Sequence, residues 1–203
     1  MGYSISSSTS DCYEGTTCLI NKLNIRDEAM LSDYETGLTI FKSMALEKEP
    51  ISSTFDFEHY KAIHKYLFDE LYDWAGQTRT VNLSKKGTSF ADVDEIERIA
   101  EACFKNLADN DYFRNQEFAD FIDDIVDFYC VTNMLHPFRE GNGRVQRAFI
   151  SQLIRFNGYD INFNDMDTDE LMIATIQAAN GVTDNLKAIF TDAIVPQTNE
   201  DDE

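Results

Sequence analysis

The run His136-Pro137-Phe138-Arg139-Glu140-Gly141-Asn142-Gly143-Arg144 packs an imidazole, a carboxylate, a small-residue turn and basic groups into nine positions, with Arg147 one helical turn further on. Together these describe a phosphate site. Gly141 and Gly143 let backbone N–H groups come close to an anion, and a helix beginning there adds its positive end to the same place. The forked guanidinium groups of Arg144 and Arg147 suit phosphate oxygens. Glu140 would repel a bare triphosphate unless a divalent cation lay between them, and magnesium is the natural choice. His136, with an ordinary pKa of about 6.5, is neutral at cellular pH and can take the proton of a hydroxyl that attacks phosphorus.

Such residues work only if helices on both sides hold them. Phe118, Phe121, Ile122, Ile125, Phe128, Tyr129 and Thr132 predict a helix leading into His136, and Val145, Ala148, Phe149 and Leu153 predict one leading out of the motif. Earlier, Leu31, Tyr34, Leu38 and Phe41 mark one buried stripe of a helix from Arg26 to about Met44. After a break at Pro50, the series Phe57, Tyr60, Ile63, Leu67, Leu71 and Trp74 predicts a second helix that stops at Gly76. Another follows through Val93, Ile96, Ile99, Cys103 and Leu107, and two shorter ones have N-caps at Asp167 or Thr168 and at Thr183. Between Arg79 and Phe90 the period changes around Ser84-Lys85-Lys86-Gly87, which suits a short hairpin. The expected fold class is all-α with that one hairpin.

Composition narrows the function further. A chain of 203 residues with 43% hydrophobic content is long enough for one substantial core. Seventeen basic against thirty-seven acidic side chains give a net charge of -20, which repels a phosphate backbone at long range and argues against nucleic-acid binding. Any nucleotide must be held by a local cluster of donors. No apolar stretch approaches the roughly 20 residues needed to span a bilayer, so no membrane role and a cytoplasmic location are expected. Cys12, Cys18, Cys103 and Cys130 form no CxxC pair and read as reduced thiols. The MGYSIS start fits a myristoylation pattern only by coincidence.

The motif also carries a resemblance. HPFREGNGRVQR matches in full the pattern His-x-Phe-x-(Asp/Glu)-Gly-Asn-Gly-Arg-x-x-Arg, and the chain is similar to the Fic family. Asn21 to Arg26, His64 to Gly76 and the hairpin after Arg79 look like the corresponding parts of short bacterial members, so the likeness covers residues 17–194. It implies a Fic-fold helical bundle with a small β-hairpin flap, preceded by a partly flexible segment 1–16 and followed by an acidic tail 195–203. It further implies a protein adenylyltransferase that moves AMP from ATP onto a Tyr, Thr or Ser hydroxyl of a target protein and releases pyrophosphate. In that reading His136 is the catalytic base, and Glu140 binds Mg2+. Asn142 with the Gly141 and Gly143 backbone holds the α-phosphate region, Arg144 and Arg147 face the β- and γ-phosphates, and Phe138 anchors the loop. Val81, Asn82 and Leu83 of the flap dock the target by strand-like pairing.

Short family members often act as toxins on housekeeping proteins, which by analogy makes type II topoisomerase subunits early candidates as targets. Many are restrained by a helix of pattern (Ser/Thr)-x-x-x-Glu-(Gly/Asn). Ser10 to Gly15 fits it literally but has poor helix propensity, so a separate small antitoxin-like partner, or no such restraint, is the favoured expectation. Transfer of phosphate, UMP or phosphocholine is an alternative chemistry, and Doc-type relatives that transfer phosphate carry lysine where this chain has Gly143. A binding module that sequesters a partner without turnover is the alternative from another class. His59 and His64 read as packing residues, and Lys85 and Lys86 as turn solubilisers.

Overall fold

The described residues, 4–5, 11–51, 54–85 and 87–197 of a computed structural model, include seven α-helices, five short strands and two 3-10 turns. A strand at Ser4–Ile5 (β1) precedes helix α1, Glu28–Lys48, whose N-terminus is capped by Asp27 accepting from the Met30 N–H. This helix corrects the stripe read from its sequence. Its inner face is Leu31, Glu35, Thr39, Lys42 and Leu46, while Tyr34 is 46% and Phe41 73% exposed. The reason is electrostatic. Glu35 meets Arg144, and Lys42 meets Asp69 at 2.9 Å and Glu70 at 2.8 Å, so these polar residues turn inward between Leu31 and Leu46, Leu38 stays half-buried, and Tyr34 and Phe41 are left outside.

Helix α2, Phe57–Phe68, is capped by Asp56 and buries Tyr60, Ile63, Leu67 and Phe68. It ends eight residues short of Gly76, where the sequence period places its stop. Successive turns from Asp69 to Gly76 keep Leu71 and Tyr72 pointing inward, with Tyr72 stacked on Trp74 at 4.3 Å, so they imitate helical spacing. The expected hairpin is present as β2, Leu83–Lys85, and β3, Thr88–Ser89, with β1 added antiparallel on the other side of β2.

A short 3-10 turn leads into α3, Ile96–Asp109. Helices α4, Phe118–Leu135, and α5, Asn142–Phe156, follow as expected on either side of the motif loop. The core closes around α5: Phe149 lies 5.4 Å from the Tyr60 ring, 5.5 Å from Phe104 and 5.7 Å from Phe128, drawing α2, α3 and α4 onto one side chain.

After β4, Tyr159–Asp160, come α6, Thr168–Ala179, and α7, Asp184–Ala193. Asp167 caps α6 through its side chain, whereas Thr183 stands at the cap of α7 without a side-chain bond. β5, Val195–Pro196, pairs with β4, and the Gln197 N–H donates to Gly158 O at 3.0 Å. Ordered pairing therefore runs past residue 194, the expected edge of the domain, and a second small sheet that sequence reading missed lies there. All four cysteines are free thiols. No helix among the described residues is long and apolar enough to cross a membrane.

The inverted face of α1 has a measurable consequence. Phe41→Ser should change unfolding free energy by no more than about 0.5 kcal/mol, because an exposed ring loses little on replacement. Leu46→Ala, at a position only 2% exposed, should lower it by about 2–5 kcal/mol in denaturant titration.

Candidate active site

The chain leaves α4 at His136, whose backbone adopts the left-handed conformation at φ 43°. The loop it enters is fastened from all sides. Phe138 is fully buried, stacked 3.9 Å from His64. Asn142 reaches back with its whole amide: Oδ1 accepts from the Phe138 N–H at 2.8 Å and Nδ2 donates to the Phe138 carbonyl at 2.7 Å. Its side chain thus closes the loop, and only its backbone is left to face a phosphate. Gly141 sits at φ 80° as N-cap of α5, and a Cβ there would lie 2.2 Å from the Phe68 ring, so no other residue fits. The N–H groups of Asn142 and Gly143, in the first turn of α5, have no intrahelical acceptors and mark the positive end of that helix.

His136 is stacked on Phe90 at 3.7 Å, and its Nδ1 lies 3.2 Å from the Asn133 carbonyl. A carbonyl can only accept, so Nδ1 carries the proton and the lone pair sits on Nε2. Burial pushes the His136 pKa down to about 3, against a smaller upward effect of the Asn133 bond, and Lys85 and Arg79 add to the depression. His64 is the opposite tautomer. Its Nδ1 accepts from the Gly76 N–H at 2.8 Å, so Nε2 donates to the Glu140 carbonyl at 3.1 Å. Burial also drives its pKa down to about 3. The packing histidine of the sequence reading therefore supports the motif loop directly.

The structure treats the two arginines differently. Arg144 is engaged on α1, by Glu35 and by Thr39 at 3.2 Å, with its guanidinium 4.8 Å over the Phe68 ring. Arg147 makes no hydrogen bond or ion pair among the described residues. Burial disfavours its charge, Tyr129 offsets this in part, and nearby Arg144 adds to it. An unpaired, partly buried cation invites an anion. Both arginines and Glu140 line a groove of about 1210 Å³ between α1 and α5.

Glu140 takes the Gly141 N–H on Oε1 at 3.0 Å. Burial raises its pKa, and Glu35 adds to that against the opposing Gly141 bond and Arg144. No cluster of three or more His, Cys, Asp or Glu suited to a metal occurs among the described residues. A single carboxylate fits magnesium in its common nucleotide-borne form, where phosphates and waters complete the shell.

At the flap, Leu83 begins β2 and is buried, and its backbone pairs with Ile5 while Ser84 pairs with Ser4. Val81 and Asn82 precede the strand: the Val81 carbonyl accepts from Arg79 Nη1 at 2.8 Å, and Asn82 Oδ1 accepts from the Val93 N–H at 2.8 Å. Arg79 is the residue that sequence reading missed. Buried at the base of the flap, it donates Nε–H to the His136 carbonyl at 2.8 Å and its backbone N–H to the Pro137 carbonyl at 2.8 Å, tying flap to loop. Nothing in its sequence context singled it out. Glu35, Thr39 and Tyr72 were missed too, because they belong to other elements.

The Ser10 to Gly15 pattern does not form a helix in its described part. Residues 11–19 make a tight bridged turn, Cys12 opposite Leu19, with Glu14 exposed and Asp11 ion-paired to Arg139. Ser10 lies outside the described residues.

Two measurements check this geometry. Long-range ¹H–¹⁵N NMR should show His136 as the Nδ1–H and His64 as the Nε2–H tautomer, both unchanged from pH 7.5 to 5.0, because a depressed pKa keeps each ring neutral throughout that window. A midpoint near 6.5 for either would refute the burial argument. Gly141→Ala should destabilise the fold by about 2 kcal/mol or more, from left-handed strain plus the Phe68 clash, and abolish nucleotide binding in calorimetry.

Comparison with known proteins gives the same picture. The family model described as Fic/DOC family matches residues 54–154. The protein adenylyltransferase VbhT of Bartonella schoenbuchensis is 37% identical over 175 residues, covering 86% of this chain but 37% of VbhT. The chain thus spans little more than a third of that relative. The probable protein adenylyltransferase y4lH of Sinorhizobium fredii is 36% identical over 171 residues, 84% of this chain and 88% of that protein. The crystal structure of the Bartonella tribocorum effector BepC with bound AMPPNP superposes with a TM-score of 0.87 at 27% identity, covering 93% of this chain and 97% of that one. With the motif intact, the helical bundle and flap in place and near-full-length likeness to y4lH, this chain belongs to the Fic/DOC family.

Proposed function

We propose that the protein is an adenylyltransferase that moves AMP from ATP onto a hydroxyl of another protein. One observation carries the reading: the neutral His136, with its lone pair on Nε2, and the unpaired Arg147 guanidinium flank a loop whose following helix presents open first-turn N–H groups. A base at one end and an anion site at the other are what hydroxyl attack on a phosphoanhydride needs. VbhT and y4lH bear adenylyltransferase names, and BepC was crystallised with an ATP analogue.

In this mechanism the target oxygen attacks the α-phosphorus, its proton passes to His136 Nε2, and the bond from α-phosphorus to the bridging oxygen breaks, so pyrophosphate leaves. The Asn142 and Gly143 N–H groups face the α-phosphate oxygens, and Arg147 takes the charge of the departing phosphates. Glu140 would hold Mg2+, which when bound neutralises phosphate charge in the groove. Arg79 keeps the His136 carbonyl, and with it the ring, in register with the flap. A target segment docking by strand pairing along Val81, Asn82 and Leu83 meets β2 where Ser4–Ile5 now pairs, so deleting residues 1–10 should raise target labelling without altering ATP affinity. A target hydroxyl on a type II topoisomerase subunit, a toxin role in the cytoplasm and restraint by a small antitoxin-like protein follow from family likeness alone.

The alternative that an observation bears on is γ-phosphate transfer. A Cβ at Gly143 would come within 3.3 Å of Arg147 Nη1, so the lysine of phosphate-transferring relatives would need that guanidinium to shift by a few tenths of an ångström.

The protein and a His136→Ala control, incubated with Mg2+ and ATP labelled at the α- or the γ-phosphate in cell extract, decide the matter. Label from the α-phosphate alone, reduced at least ~100-fold in the control, is expected. Arg147→Ala should raise KM for ATP by about 10- to 100-fold, the worth of a charge-assisted bond. Label from the γ-phosphate alone would replace the proposal with phosphate transfer, and label from neither would point to another nucleotide donor, a bound inhibitor or a role without turnover.

A further inference from the structure

Glu35 occupies the inner face of α1, 7% exposed, where an amphipathic helix ordinarily places an apolar side chain. Its oxygens serve different partners. Oε1 accepts from Arg144 Nη2, and Oε2 accepts from the Tyr72 hydroxyl at 2.6 Å. Thr39, one turn on, accepts from Arg144 Nη1 at 3.2 Å while donating its own hydroxyl to the Glu35 carbonyl at 2.8 Å. Across the groove, Glu140 Oε1 stands 3.7 Å from the same Arg144 Nη2, beyond hydrogen-bond reach. Two carboxylates thus compete for one guanidinium, and α1 holds it.

We propose that Glu35, braced by Tyr72, is a positioning residue that holds Arg144 off Glu140 and so keeps the Glu140 carboxylate open to a nucleotide-borne divalent cation. The inference rests on the reading of Glu140 as the cation's protein ligand. A buried ion pair is a poor source of stability, since desolvation offsets its Coulomb attraction, so a net stabilising role does not account for Glu35. If the Glu35 charge is removed, Arg144 remains cationic and its nearest carboxylate is Glu140. An arginine fork closing there takes up the oxygens that a cation needs.

The test uses Glu35→Gln, which keeps shape and removes charge, with a crystal structure of the metal-free variant and Mn2+ binding measured by EPR in the presence of a non-hydrolysable ATP analogue. Arg144 should move into hydrogen-bond contact with Glu140, and the Mn2+ dissociation constant should rise about tenfold, as for lost support of a metal ligand. Adding Arg144→Gln to that variant, with the analogue at saturating concentration for each protein, should restore much of the Mn2+ affinity, which a merely structural role of Glu35 would not produce. Tyr72→Phe should shift affinity in the same direction by less, and it carries the test if Glu35→Gln does not fold. The proposal is overturned if Arg144 stays away from Glu140, if Mn2+ affinity is unchanged in both single variants, or if the double variant binds no better than Glu35→Gln. A wild-type protein without a nucleotide-dependent Mn2+ site overturns the cation reading. Failure of α-label transfer with Arg144 still closing on Glu140 in the variant would sink the adenylyltransferase reading and leave Glu35's hold on Arg144 standing.

Discussion

The turn from α4 to α5 has to be made inside the protein, and a buried turn must find partners for its backbone polar groups. Residues outside the turn meet that demand. The His136 carbonyl accepts from Arg79 Nε, the Pro137 carbonyl from the Arg79 N–H, the Phe138 carbonyl from Asn142 Nδ2 and the Glu140 carbonyl from His64. Every one of these contacts consumes an acceptor. What the turn leaves over are donors, the first N–H groups of α5, so the same bookkeeping that makes the loop rigid also makes its mouth electropositive in a chain whose net charge is -20. Unsatisfied donors are what satisfying the carbonyls leaves over.

Much of this was legible in the chain's own letters. Apolar spacing located α4 and α5 and with them the ends of the motif, because both helices bury a continuous apolar face against the core and leave little room for another reading. The motif residues came together because they lie within one loop and one helical turn. What failed were elements whose burial is decided by partners far away in sequence. The middle of α1's inner face is polar because Arg144 and the Asp69-Glu70 pair lie opposite it, and no window around residues 28–48 contains them. The end of α2 was misplaced because turns can repeat inward positions at helical intervals. Arg79 and His64 were invisible as supports of the loop, since a side chain that bonds a distant carbonyl leaves no periodic trace.

The two motif arginines illustrate how far residue type falls short of role. Their sequence positions, three apart on one helix, make them equivalent candidates for phosphate. Packing separates them: Arg144 faces α1 and is met by a carboxylate, a hydroxyl and an aromatic face, while Arg147 faces the groove with no partner among the described residues. One helix face thus both binds α5 to α1 and turns an unpaired cation into the groove.

The left-handed backbone of His136 links the chemistry to the stability of the fold. A side chain bearing Cβ at φ 43° carries strain of roughly 1 kcal/mol or more, which the surrounding bonds must hold in place. Glycine would adopt that conformation without strain. The residue proposed as the site's base is therefore one the backbone would rather not have, and a lineage in which no base were needed there would gain a sturdier protein by giving it up.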